Sequence, residues 1–205
     1  MSDRPTETTL PFPGFQRRRR HRPNGAPYLP PVITIISTTN RPASTTRRVA
    51  ERYADILRTL GAEADILDLA DLPTDFLFSA LYQNTGRNPA FNPFVAQAAR
   101  ADKLVFIVPE YNNSFPGVLK AFIDGLPYPG GIRHKKAALV GLSSGPQGAA
   151  LALSHLTDIL HYLGTHVLAN KPRLAHLDSH QPDATLLTDL QQRLLREQAE
   201  ALVAF

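Results

Sequence analysis

The chain contains no cysteine. Without thiols it can form no disulfide, thiolate zinc site or iron–sulfur cluster, and it has no cysteine nucleophile. It also lacks any apolar run approaching the ~20 residues that a membrane-spanning helix needs. The arginine cluster at 17–20 is followed by prolines rather than by the apolar core of a signal peptide. We therefore expect a cytoplasmic protein that does not enter a membrane.

Excess charge is missing from most of the chain. Residues 1–31 hold six arginines against Asp3 and Glu7, which gives this segment a net charge of +4. The whole chain also has a net charge of +4, so residues 32–205 are neutral. The same segment holds seven of the 18 prolines, and such a composition buries too little apolar surface to repay the entropy of ordering. We predict a largely disordered tail at 1–31 and one globular domain at 32–205.

The arginine-rich tail has three interpretations. Arginines 17–20, with His21 and Arg22, could bind nucleic acid or another acidic partner. Such binding would weaken steeply with salt and vanish when the tail is deleted. Phe12 and Phe15 could instead dock on a neighbouring subunit. We favour a solvated extension and do not expect nucleic acid as a partner, because the folded part of the chain is neutral.

Short apolar runs alternate with segments of helical periodicity over the rest of the chain. We predict strands at 32–36, 64–69, 103–108, 137–142 and 165–168, and helices at about 49–60, 93–101, 116–126, 147–163 and 183–203. The run at 103–108 is apolar almost throughout, which is typical of a parallel strand buried on both faces. Five strands with right-handed crossovers form an α/β fold with sheet order 2-1-3-4-5. The turns after strands 1, 3 and 4 then meet at one edge.

The turn after strand 1 is rich in hydroxyl groups and leads directly into a helix. Its Ser and Thr residues lie at positions 37, 38, 39, 44, 45 and 46, together with Asn40 and Arg41. A helix N-terminus surrounded by such donors favours a phosphate. The motifs G-x-G-x-x-G and G-x-x-x-x-G-K-[ST] are absent, which argues against a pyrophosphate held closely by backbone. The alternative is a capping cluster in an ordinary turn.

Two further turns offer amides and small residues. The central strand ends in Pro109-Glu-Tyr-Asn-Asn-Ser114, and the fourth strand ends in Ser143-Ser-Gly-Pro-Gln-Gly148. The second is flexible enough for backbone to approach a flat ligand, although by itself it could equally be a plain loop before a helix. Together the three turns describe a site for a phosphorylated planar ring. Glu110 could act as an acid or a base. We favour the alternative, in which it anchors its loop.

The stretch PEYNNSFPGVLKAFID at 109–124 resembles the signature P-E-Y-N-x-S-x-P-G-x-L-K-x-x-x-D of the NADPH-dependent FMN reductase family. The resemblance extends over most of residues 32–170. It implies a flavodoxin-like three-layer fold, bound FMN, NADPH or NADH as the reductant, and a small-molecule acceptor such as a flavin, quinone, azo compound or chromate. We predict an FMN-dependent NAD(P)H oxidoreductase; a flavin-binding electron carrier or regulatory protein is the alternative.

The resemblance also implies which residues bind the cofactor. The FMN phosphate would be held by Ser37, Thr38, Arg41, Ser44, Thr45 and Thr46. One side of the flavin ring would be bordered by Pro109, Glu110, Tyr111, Asn112 and Asn113, and the other by Ser143, Ser144, Gly145 and Gly148. No side-chain nucleophile is required, because the cofactor carries the chemistry.

Two other features bear on partners. Lys120 precedes Asp124 by one helical turn, which is the poorer orientation for a pair within one helix, so an intersubunit partner competes with a solvated pair. The resemblance favours a homodimer or homotetramer in which these helices meet. The seven histidines form no metal-ligand spacing with carboxylates, so we expect no metal site.

Overall fold

The computed structural model of the protein describes residues 31–129 and 131–205. The predicted tail therefore lies outside the described residues except for Pro31. The first strand, β1, is the largely β-branched run Ile33–Ser37, and all five of its residues are buried.

The sheet is parallel, and its order is β2-β1-β3-β4-β5, as predicted. After β1 the strands are β2 (Ala64–Asp68), β3 (Lys103–Pro109), β4 (Lys136–Leu142), β5 (His166–Val167) and β6 (Arg173–Leu174). The helices are α1 (Thr45–Thr59), α2 (Phe76–Ser79), α3 (Asn92–Arg100), α4 (Gly117–Asp124), α5 (Ala150–Tyr162) and α6 (Asp189–Ala204). Within the described residues no helix is both long and apolar enough to cross a membrane.

Alternate residues of the central strands face two separate cores. Leu104 and Phe106 of β3 pack with α3, α4 and α5 on one face. Val105 and Ile107 pack with α1 and α6 on the other face. Successive side chains of a strand point to opposite faces, so the apolar run of β3 serves both cores at once. The result is the three-layer α/β/α arrangement that the family resemblance implied.

The fifth strand position is split, which the sequence did not indicate. Both β5 and β6 pair parallel to β4, at Lys136–Ala137 and at Gly141–Leu142 respectively. Residues 169–171 leave the sheet between them, whereas the Leu168 N–H still donates to the Ala137 carbonyl at 2.8 Å and the Pro172 carbonyl accepts the Gly141 N–H at 2.9 Å. Pro172 has no backbone N–H to donate to a ladder, and it directly precedes β6. The sequence predicted one strand at 165–168. The structure has β5 there, and a second short strand, β6, follows it along the same edge of β4.

Helix ends follow local capping rules. Helix α1 ends at Thr59, close to the predicted residue 60, and Gly61 follows it in a left-handed conformation with φ of 73°. Helix α6 begins later than the predicted residue 183, because 183–185 form a separate 3-10 turn. Its start is fixed at Thr188, whose hydroxyl accepts from the Gln191 N–H while the Gln191 side chain accepts from the Thr188 N–H.

Candidate functional site

The turns after β1, β3 and β4 enclose a cavity of about 460 Å³ at one edge of the sheet. Parallel strands present their carboxyl ends at the same edge, and ligands of open α/β sheets bind there. Nine of the predicted site residues line this cavity. They are Arg41, Ser44, Thr45, Thr46, Pro109, Glu110, Tyr111, Ser143 and Ser144.

One end of the cavity is the N-terminus of α1. Ala43 adopts a left-handed φ of 49°, and Ser44 then caps the helix by accepting the Arg47 N–H at 3.1 Å. The first turn of α1 contains no acidic residue. Since the first N–H groups of a helix have no partner within it, those of Thr45 and Thr46 are available to an anion, together with the two threonine hydroxyls.

Arg47 lies beside this turn but is bound elsewhere. Its guanidinium contacts Glu51 at 2.8 Å and Asp68 at 3.6 Å. The hydrogen bond to Glu51, with the charges of Glu51 and Asp68, raises the pKa of Arg47. Arg41 is exposed and lines the cavity, so it is the arginine that can reach an anion there.

The loops after β1 and β3 are joined directly. The hydroxyls of Thr39 and Tyr111 are 2.6 Å apart, and both residues line the cavity. Beyond Tyr111 the chain reverses in a tight turn closed by two backbone hydrogen bonds to Ser114, at 2.8 and 3.0 Å. Asn112 and Asn113 have φ of 49° and 65°, which is the conformation of a type I′ turn and one that asparagine tolerates.

Glu110 anchors the loops rather than standing free. Its carboxylate accepts the Ala149 N–H at 3.1 Å, and its own N–H donates to the Leu142 carbonyl at 2.9 Å. Ala149 precedes α5 and has no side chain that could cap it. A carboxylate at a helix N-terminus is stabilising, so Glu110 caps α5 across the sheet. This geometry supports the anchoring interpretation.

The loop after β4 is organised by Ser143. The Ser143 hydroxyl donates to the Gly145 carbonyl at 2.8 Å and accepts the Gly148 N–H at 2.9 Å. Gly148 has φ of 57°, and a side chain there would lie 2.7 Å from Arg173 Cβ. A side chain on Gly141 would run into the Gly148 carbonyl oxygen. Both glycines are therefore needed for the loop to pack against β4 and β6.

Six predicted site residues do not line the cavity. Ser37 and Thr38 are fully buried at the end of β1, and the Thr38 hydroxyl donates to the Ile107 carbonyl at 2.8 Å. The other four are Asn112 and Asn113 in the exposed turn, and Gly145 and Gly148 in the loop after β4. These six shape the surrounding turns.

The cavity has a further wall that the sequence did not indicate. It consists of His176, Leu177, Asp178 and Ser179, which follow the two-residue strand β6. A strand of two residues has no periodicity that could reveal it, so nothing in the sequence placed these residues at the same sheet edge. Asp178 brings a carboxylate to the cavity, opposite in charge to Arg41.

A metal site is not formed by the described residues, among which no group of three or more His, Asp or Glu side chains could hold an ion. The arrangement instead suits a ligand with an anionic group at the N-terminus of α1. The rest of such a ligand would lie between the loops after β3 and β4.

Comparison with known proteins identifies relatives of this chain. The sequence pattern of a family described as NADPH-dependent FMN reductase matches residues 31–176. An NAD(P)H-dependent FMN reductase from Pseudomonas aeruginosa is 34% identical over 147 residues, covering 69% of this chain and 77% of the relative. A 2-hydroxy-1,4-benzoquinone reductase from a Burkholderia species is 39% identical over 113 residues, covering 54% of this chain and 59% of the relative.

The fold is also found in solved structures. The apo form of an NADH:FMN oxidoreductase superimposes with a TM-score of 0.70 at 24% identity, covering 85% of this chain and 89% of the other. At that identity the likeness concerns the fold. It places the present sheet among the flavodoxin-like proteins.

Proposed function

The chain belongs to the NADPH-dependent FMN reductase family, and from that premise we propose where and how it carries out FMN-dependent oxidation of NAD(P)H. The observation that carries the proposal is the meeting of three turns around one cavity, with a helix N-terminus at one end. Relatives named as FMN and quinone reductases lead us to propose a quinone or a free flavin as the electron acceptor.

The phosphate end of the cavity fits FMN. The N–H groups and hydroxyls of Thr45 and Thr46 would hold the phosphate, and Arg41 would supply an opposite charge. The absence of an acidic residue from the first turn of α1 keeps the positive end of the helix dipole unopposed there. Ser44 contributes indirectly, because its hydroxyl is engaged in capping the helix.

The ring end of the cavity fits a flat ligand between the loops after β3 and β4. Most N–H groups of these loops are used within the protein, including those of Glu110, Tyr111, Ser143 and Gly148. Within the part of the chain that the structure describes, the N–H groups of Ser144 and Gly145 have no acceptor. Of these two residues, Ser144 lines the cavity and Gly145 does not. We therefore propose the Ser144 N–H as the donor that faces developing negative charge on the ring, where a well-aimed donor contributes about 3 kcal/mol.

FMN, when bound, accepts a hydride from NAD(P)H and passes the electrons to the acceptor. The protein supplies placement: Glu110 fixes the loop after β3 against α5, and the Thr39–Tyr111 hydrogen bond fixes it against the loop after β1. Pro109, at the end of β3, forms part of the cavity wall without donating a hydrogen bond. None of these residues needs to form a covalent bond to the substrate.

We propose that the protein is a homodimer or homotetramer formed through α4 and α5. A groove of about 640 Å³ lies there, lined largely by apolar residues. Tyr128 and Tyr162 at its edge are 74% and 79% exposed, which is unusual for large aromatic side chains unless a partner covers them. The Lys120–Asp124 pair, at 2.8 Å, lies on the same face. The cytoplasmic location stays a prediction of the sequence.

Anaerobic addition of NADPH to the FMN-loaded protein tests the function. We expect rapid loss of the flavin absorbance at roughly 450 nm, and its return when a quinone is added, because hydride transfer reduces the cofactor. If the colour persists after NADPH or NADH is added, the protein is a flavin-binding carrier and the proposal is wrong.

The phosphate site is tested by replacing Thr45 and Thr46 with valine. Loss of hydrogen bonds to a charged group lowers FMN affinity by about tenfold or more, measured by quenching of flavin fluorescence. Thr59→Val is the matched control, because Thr59 lies at the far end of α1 and its hydroxyl bonds the Ile56 carbonyl. Equal FMN affinity of the double variant and the control would place the phosphate elsewhere.

A further inference from the structure

The wall segment, residues 176–183, closes one side of the cofactor cavity without belonging to any long helix or strand. Its first four residues line the cavity, and its last forms the start of a 3-10 turn. A wall with so little secondary structure of its own must be held in place by contacts at both sides.

On one side the wall segment is bound to the loop after β4. The His176 N–H donates to the Gly145 carbonyl at 3.1 Å, and the Leu177 N–H donates to the Ser143 carbonyl at 3.0 Å. These two backbone hydrogen bonds fix the beginning of the segment. They leave the part beyond Asp178 unsupported from this side.

On the other side the wall segment is bound by one arginine of α1. Arg48 Nε contacts Asp183 Oδ1 at 2.6 Å, and Nη1 donates to the Ser179 carbonyl at 3.1 Å. Nη2 donates to the Gln181 carbonyl. A guanidinium presents its donors in a rigid planar fork, so a single side chain satisfies acceptors on three residues of the segment.

The environment of Arg48 differs from that of its neighbours on α1. Its side chain is 21% exposed, against 38% for Arg47 and 65% for Arg58. Arg52, one turn further along, donates to the Asp183 carbonyl at 2.8 Å and so reinforces the far end of the segment. Arg48 itself is not among the residues that line the cavity.

We propose that Arg48 is a positioning residue for the cofactor: it holds the wall segment against α1, so that Asp178 and Ser179 stay at the cavity. The inference rests on the proposed function, since it takes the cavity to be the FMN site. Carboxylate and hydroxyl groups at this wall are suited to the hydroxyl-bearing chain that joins the flavin ring to its phosphate.

Arg48 could also support FMN binding through its charge rather than through its contacts with the wall segment. A cation near the N-terminus of α1 attracts a phosphate through charge alone, wherever the wall segment lies. Riboflavin distinguishes the two, because it lacks the phosphate. Arg48→Lys distinguishes them again, because lysine keeps the charge but cannot present the planar fork. Arg47→Met is the matched control, because it removes the same charge one residue away without touching the wall segment.

The experiment measures the affinity of the apoprotein for FMN and for riboflavin by fluorescence quenching. We expect Arg48→Met and Arg48→Lys to weaken both ligands by a similar factor, about tenfold, because several hydrogen bonds to the wall are lost. Arg47→Met should weaken FMN more than riboflavin. Amide hydrogen exchange within residues 179–181 should become faster in both Arg48 variants.

The inference is overturned if Arg48→Met binds both ligands as the wild type does, or if only FMN is weakened and Arg48→Lys restores it. The second result would make Arg48 a counter-charge for the phosphate. Should Arg48→Met not fold, as judged by its urea unfolding curve, Arg48→Lys decides alone by the same riboflavin comparison. If the wild type binds neither ligand, the proposed function is wrong. Faster amide exchange within residues 179–181 of the Arg48 variants would still show that Arg48 holds the wall segment.

Discussion

Tyr53 is a fully buried tyrosine on α1, and its hydroxyl has no hydrogen-bond partner within residues 31–129 and 131–205. Burial raises the pKa of Tyr53 above its ordinary value of 10.0, because a phenolate inside the core is poorly solvated. Above pH 10 the unfolded chain releases this proton while the folded protein keeps it. The free energy of unfolding therefore falls as the pH rises through that range.

Two lysines have the opposite effect on stability at lower pH, and the two ranges overlap only near the ordinary pKa values of the two residue types. Desolvation lowers the pKa of Lys103 and that of Lys135 below the ordinary value of 10.5. Each folded lysine therefore releases its proton before the unfolded chain does, and stability rises with pH up to about 10.5. The pH dependence of the free energy of unfolding of the wild type contains all of these effects. The contribution of Tyr53 is therefore measured as the difference between the wild type and Tyr53→Phe.

Tyr53→Phe should be more stable than the wild type. Removing a buried hydroxyl that lacks a partner gains about 1–2 kcal/mol at pH 7, and the gain should widen by up to about 1.4 kcal/mol per pH unit above 10. Urea unfolding at pH 7 and near pH 11 measures both. Tyr82→Phe, at a position that is 80% exposed, should change little at either pH. A less stable Tyr53→Phe would mean that the hydroxyl is hydrogen-bonded after all.

At the scale of elements, one glutamine of α6 compensates for the split in the fifth strand. Gln198 is fully buried, and its Nε2 donates to the Leu139 carbonyl of β4 at 2.9 Å and to the Asn170 carbonyl at 2.8 Å. Leu139 lies between the parts of β4 that pair with β5 and β6. The side chain thus supplies a donor to β4 where residues 169–171 leave the sheet.

Gln198→Ala should lower the free energy of unfolding by about 2–4 kcal/mol, because it opens a cavity and leaves the buried Leu139 carbonyl without its donor. Gln198→Leu fills the space without restoring the donor, but it also removes the buried Oε1, which has no partner among the described residues. It should therefore lose less than the alanine variant, about 1 kcal/mol. Urea unfolding measures the stability of both variants. The control is Glu197→Ala, because Glu197 is an exposed neighbour on the same helix, and its replacement should change the free energy of unfolding little. If Gln198→Leu matches the wild type, the hydrogen bonds to Leu139 and Asn170 do not stabilise the edge.

At the scale of the whole molecule, the groove between α4 and α5 lies on a different surface from the cavity that we propose for the cofactor. The two share no lining residue. Assembly through the groove would therefore leave the proposed phosphate end of the cavity within one subunit. A substitution in the groove can therefore alter the assembly without removing a proposed cofactor contact of the same chain.

Tyr162→Glu should convert the assembly to monomers, because a carboxylate would have to be desolvated at an apolar contact. Sedimentation equilibrium should show the mass falling from a multiple of 22.5 kDa to 22.5 kDa. Tyr82→Glu introduces the same charge at another exposed tyrosine and should leave the mass unchanged. Equal masses for Tyr162→Glu and wild type would exclude this face as the interface.

Local patterns in the sequence were enough to predict the strands of the central sheet and their order. The apolar run of β3 and the β-branched run of β1 have the period and length of buried strands, and crossover rules then leave few orders open. The hydroxyl-rich turn before α1 indicated an anion site for the same reason, because a helix N-terminus is a local feature.

The sequence by itself determined the α/β/α sheet, its order and the family resemblance, since strand periodicity and short motifs are properties of neighbouring residues. Only the tertiary structure decided that Glu110 caps α5, that Gln198 completes the edge of β4, and that residues 176–179 form a wall fastened by Arg48. These contacts join residues far apart in the chain, up to 135 positions for Arg48 and Asp183. Their formation depends on how helices and strands pack, which no local pattern encodes.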